Sequence, residues 1–85
     1  MSAIDDAITV LDKNDLKTEA QTFERLQKAL GSTDSSTRTT AIQELRGLCQ
    51  VRAYGDLNIS TMNGWQWNSL LERVVEDAEE RSGAN

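Results

Sequence analysis

Toward the C-terminal end of the chain the apolar positions recur with a period that only a helix satisfies. Trp67, Leu70, Leu71, Val74, Val75 and Ala78 fall at i, i+3, i+4, i+7, i+8 and i+11, the spacing of one buried helical face. Asn63 sits where an N-cap belongs, and Gln66, three residues on, completes a capping box. Met62 before the cap and Trp67 at the fourth helical position fit a hydrophobic staple. The same stretch, "TMNGWQWNSLL", holds both tryptophans of the chain. Side chains two positions apart on a helix diverge by about 200° around its axis. With Trp67 assigned to the core face, Trp65 points elsewhere.

The rest of the chain reads as three further helices. The first spans residues 2 to 13, with Ser2 as N-cap, Asp5 and Asp6 in the first turn where the dipole favours acids, and Ile4, Ala7, Ile8 and Leu11 as its stripe. The second spans residues 16 to 30, with Leu16, Ala20, Phe23, Leu26 and Leu30 facing inward and Gly31 expected as a left-handed C-cap. The break between them, Lys13-Asn14-Asp15, is weak, so one continuous helix is the alternative. The third helix is expected over residues 35 to 53, with Ala41, Ile42, Leu45, Leu48, Cys49 and Ala53 as its stripe and Gly55 ending it. Gly47 inside it costs roughly 1 kcal/mol against Ala, and close packing would account for it. Residues 56 to 62 read as a loop in which Leu57 and Ile59 plug the end of the bundle. A short strand there would have no partner. The last four residues, Ser82 to Asn85, read as a frayed tail. The fold class is all-α, a compact bundle of three to four helices in a single domain, with short loops favouring antiparallel neighbours.

Size and composition change this picture in two ways. An 85-residue chain buries only roughly 60% of its unfolded surface, and the usual staples are scarce. One cysteine forms no internal disulfide, and the absence of histidine leaves a poor ligand set for structural zinc. No metal or other cofactor is expected. Stability must come from good helices or from self-association. The net charge of −5 argues against general nucleic-acid binding, which relies on cations displacing phosphate counterions. No apolar run approaches the ~18 residues of a membrane span, and no secretory leader is evident, so a cytoplasmic protein with no membrane attachment is expected.

Signatures of catalysis are missing. Cys49 has no histidine to activate it, and no phosphate loop, metalloprotease pair or calcium loop occurs. Asp34-Ser35 at a helix start is similar to the Asp-Ser-Leu of acyl carrier proteins, whose serine carries a phosphopantetheine arm. Here Ser36 replaces the leucine, and the following helix carries Arg38 and Arg46. A helix cap accounts for both residues.

The expected role is therefore non-catalytic: an interaction module of the accessory, regulatory or inhibitor kind, a type that also occurs among phage proteins, acting by binding a partner protein. Trp65 is the main candidate contact, because tryptophan is enriched in binding hot spots. Met62, Tyr54 and Leu57 are expected beside it, with Glu72, Glu76 and Glu80 supplying charge complementarity. Two alternatives stand. One is a nucleic-acid-binding domain that uses Arg38, Arg46 and Arg52 on and after the third helix. The other is a self-assembling bundle, with a homodimer as its simplest form.

Overall fold

The computed structural model of the chain describes residues 3–50 and 52–81, with Arg81 described by its backbone alone. The order is α1 (Ala3–Lys13), α2 (Lys17–Leu30), α3 (Ser35–Leu48), a single 3-10 turn (Tyr54–Asp56) and α4 (Gly64–Arg81). Among the described residues there is no strand. Over the described residues the protein is an all-α compact globule of four helices. In space they form a ring, each helix packing on its chain neighbours and α4 closing back onto α1. The Ser2 cap and the C-terminal tail lie outside the described residues.

Hydrogen bonds across the helix boundaries show which ends meet. Asp5, early in α1, binds Gln27, late in α2, so these two helices run antiparallel. Asp77, late in α4, accepts the Ala3 N–H at 2.9 Å. At the other end of α1, Asn14 donates to the Thr61 hydroxyl at 3.0 Å and accepts from the Ser60 N–H at 2.7 Å. These contacts at opposite ends make α1 and α4 antiparallel as well. The Asp77 carboxylate thus meets the start of α1, where the helix dipole favours a negative charge.

The weak break after Lys13 is a real helix end. Asp15 has φ 61°. The Leu16 N–H reaches back to the Leu11 carbonyl at 2.9 Å, and the Asp15 N–H to that of Asp12 at 3.1 Å. This is a Schellman closure with Asp15 in the left-handed position that glycine usually takes. Aspartate tolerates that region better than most residues. The left-handed cap expected at Gly31 does not form there. Gly31 has φ −86° and ψ 0°, and its N–H bonds to the Lys28 carbonyl at 3.1 Å, tightening the last turn of α2.

The third helix is shorter than its pattern suggests, ending at Leu48 rather than continuing to residue 53. Ala53 is exposed and plays no part in the stripe. The chain turns instead so that the Tyr54 ring packs on Phe23, centroids 5.3 Å apart, and the Tyr54 carbonyl accepts the Trp67 indole N–H at 2.7 Å. Tertiary packing here overrides local helix preference. Leu48 and Cys49 are half-buried at the edge of the core.

The core itself is Ala3, Ile4, Ala7 and Leu11 of α1, Ala20, Phe23, Leu26 and Leu30 of α2, Ala41, Ile42 and Leu45 of α3, and Trp67, Leu70, Leu71, Val74 and Ala78 of α4. Ile59 from the loop joins it, with Leu57 half-buried nearby.

Two glycines behave oppositely. A Cβ on Gly47 would meet no atom within 4 Å, so packing does not explain this glycine. A Cβ on Gly55 would lie 2.3 Å from Asn68 Oδ1 and 2.9 Å from the Gln50 carbonyl oxygen. In urea denaturation, Gly47→Ala is expected to stabilise the fold by up to about 1 kcal/mol. Gly55→Ala is expected to destabilise it by about 1–3 kcal/mol, since a backbone oxygen cannot move aside cheaply. Equal effects of the two substitutions would contradict this assignment.

Candidate functional site

The outer face of α4 is built from its N-terminus. The Asn63 side chain accepts the Gln66 N–H at 2.8 Å, and the Gln66 side chain accepts the Asn63 N–H at 3.1 Å. This reciprocal capping box fixes where the helix begins and therefore how it is rotated. Trp67 then points inward and is 0% exposed, while Trp65 is 78% exposed and stands out as the exposed large hydrophobic of the described residues. The polar edge of the Trp67 ring is satisfied by the Tyr54 carbonyl, as a buried indole requires.

The acidic residues expected beside Trp65 fall on its side of the helix. At 100° per residue, Glu72 and Glu76 lie within about 20° of Trp65 around the axis and Glu80 within about 60°. All three are exposed. The stretch from Trp65 to Glu80 covers roughly 22 Å of helix.

The other expected neighbours are arranged differently. Met62 and Leu57 line an open cavity of about 460 Å³ at the end of the bundle, together with Ile59, Trp67 and the backbone around Gly55 and Gly64. Gly64 directly precedes Trp65, so the cavity opens beside the first turn of α4. Tyr54 is turned inward: its ring is against Phe23 and its carbonyl is occupied by Trp67. The cavity itself was not anticipated. Its walls come from a loop whose path depends on the Asn68 amide, which donates to the Gly55 and Gly64 carbonyls at 3.2 and 2.9 Å.

The arginines of the alternative site are largely engaged within the fold. Arg38 donates to the Ser32 carbonyl at 2.7 Å. Arg46 pairs with Glu79 of α4 at 2.9 Å. Arg52 lies beyond the end of α3, in the connection to α4. At 100° per residue the outward side of α3 holds Ser36, Thr40, Gln43 and Gly47, none of them charged. Arg38 and Arg46 line a cavity of about 260 Å³ with Ser35, Thr39, Ile42, Gln43 and Glu79. Glu79 puts a carboxylate into that cavity, and Asp34 already occupies the start of α3. Asp34 accepts the Ser36 N–H at 3.2 Å and the Thr37 hydroxyl at 2.8 Å, which makes Asp34 the helix cap.

Cys49 is half-buried, and burial pushes its thiol up to about 12. Reactive cysteines need the opposite shift. At pH 8 the native protein is therefore expected to react with iodoacetamide at least about 100-fold more slowly than the urea-unfolded chain. Comparable rates would show a thiolate accessible in the fold. The two tryptophans supply a second expectation, read by thermal or urea unfolding. Trp67→Ala is expected to cost about 3–5 kcal/mol, and Trp65→Ala to stay within about 0.5 kcal/mol of the parent. A large loss from the second substitution would mean that the exposed indole supports the fold.

Among the described residues, no helix is long and apolar enough to cross a membrane. Compared with protein-family models, curated proteins and solved structures, the chain gives no significant match to any.

Proposed function

We propose that this protein is a small non-catalytic interaction module that acts by docking on a partner protein through the outer face of α4. The observation that carries this reading is the exposure of Trp65, 78% of its surface, on a helix whose start is locked by a reciprocal capping box. An indole in water gains nothing for the fold. Seated in a pocket on another protein it is among the strongest anchors available. Its position is preorganised, so little order has to be imposed on binding.

The cavity beside the first turn complements this anchor. Leu57, Ile59 and Met62 line a recess at the same end of the bundle, whose accessible walls are mostly polar. A partner that receives the indole has room to place a side chain of its own there. The mechanism is occlusion: the module covers a surface that its partner uses for something else. The nucleic-acid alternative draws less support, since two of its three arginines are tied to acceptors within the fold.

Site-resolved photo-crosslinking in the native host tests the proposal. A photoreactive residue replacing Trp65 is expected to trap a discrete protein. The same residue replacing Gln21, exposed on α2, is expected to trap none. Identical products from both positions, or none from position 65, would remove α4 as the docking face.

A further inference from the structure

We infer that the partner presents a basic segment, rich in lysine or arginine, that lies along α4 with an apolar pocket at one end for Trp65. The inference rests on the docking reading above and adds the chemistry of the occupant. Its basis is the shared side of Trp65, Glu72, Glu76 and Glu80 on one helix. An anchor and an anionic ridge on the same face call for an apolar pocket and a cationic track on the other molecule.

The ridge is kept against the local interests of the helix. Glu72, Glu76 and Glu80 are spaced by four, so each repels the next. Those nearest the C-terminal end also oppose the helix dipole. None of the three forms an ion pair within the described residues. Glu44 pairs with Arg25, and Glu79, about 40° from Trp65 around α4, pairs with Arg46. Glu72, Glu76 and Glu80 are left to solvent, as Asp6, Asp12 and Glu24 are on other helices, and what sets the three apart is their alignment with Trp65. A second copy of the chain is a poor occupant. Each copy carries a net charge of −5, and two α4 faces would set carboxylate rows against each other. A phosphate backbone or an anionic membrane surface is excluded on the same ground.

The probe is an 18-residue helical peptide of leucine and lysine with one apolar stripe, set against the same peptide with glutamate for lysine. Binding is read from the anisotropy of a label on the peptide, and burial of the indole from the blue shift of its emission. The wild-type protein is expected to bind the lysine peptide with a blue shift, and at least about tenfold more weakly when salt rises from roughly 50 to 300 mM. It is expected not to bind the glutamate peptide. Glu72→Gln/Glu76→Gln/Glu80→Gln is expected to weaken binding about tenfold or more and to flatten the salt dependence. Trp65→Ala is expected to weaken binding comparably while keeping the salt dependence. Asp6→Asn/Asp12→Asn/Glu24→Gln removes as many charges from other surfaces, and this variant is expected to bind within about threefold of wild type. Circular dichroism confirms that each variant is helical.

Equal weakening by the two triple variants would reduce the effect to net charge and overturn the inference. So would full binding by the Glu72/Glu76/Glu80 variant, or equal binding of the glutamate peptide. If only Trp65→Ala weakens binding, the docking face stands and the basic occupant falls. A wild-type dimer in sedimentation that Trp65→Ala dissociates would place a second copy on this face and overturn the inference as well.

Discussion

The hydrogen bond from the Trp67 indole to the Tyr54 carbonyl, 2.7 Å long, is the contact on which the far end of this bundle depends. Trp67 is completely buried, so its one polar atom has to find an acceptor inside the protein. The Tyr54 carbonyl supplies it only if the chain leaves α3 at Leu48 and doubles back. That return brings Tyr54 onto Phe23 and the Gly55 backbone against Asn68. It also carries Ile59 into the core. One satisfied donor thus organises the longest connection in the molecule and fixes the face that α4 turns to the core.

The same constraint determines what is left outside. A helix with Trp67 at the centre of its buried face has no choice about Trp65. The capping box at Asn63 and Gln66 removes the remaining freedom, because it sets the first residue of the helix. The exposed indole is therefore a consequence of how the core is satisfied. What the core does not dictate is that position 65 should be tryptophan. A lysine or glutamine there would leave the bundle intact. The choice of a large aromatic side chain at a position with no internal duty is where the fold stops explaining the sequence.

Much of this is legible in the sequence. The core of α4 follows from its period, and the cap from four residues whose roles are local. Helix ends follow from the sequence where the signal is local, and they escape it where contacts across the fold decide. Asp34 caps α3 as expected, by hydrogen bonds that span three residues. The end of α3 depends on Tyr54 reaching Phe23 and Trp67, contacts across the fold that a local pattern does not contain. The left-handed cap at Asp15 was hidden for another reason. Glycine is the usual marker of that conformation, and here an aspartate adopts it while Gly31 does not. Around the candidate site, Trp65 and the three glutamates could be placed by counting along a helix. Met62 and Leu57 could not, because they sit in or beside the loop, and their cavity exists only once Asn68 has pinned that loop to Gly55 and Gly64.

Charge placement follows the same division between what the fold uses and what it leaves. Arg25 with Glu44 joins α2 to α3, and Arg46 with Glu79 joins α3 to α4. Exposed pairs of this kind add at most about 1 kcal/mol each. Their larger effect is to occupy the charges of α3, whose outward side is then short, polar and neutral. The ridge on α4 remains as an uncompensated part of the surface, aligned with Trp65, the exposed large apolar side chain of the described residues. Lysines four residues along from those glutamates would help the helix, whereas the cation flanking the row is Arg73, three residues before Glu76. The absence of such lysines is the physical reason to look for the cations on another molecule.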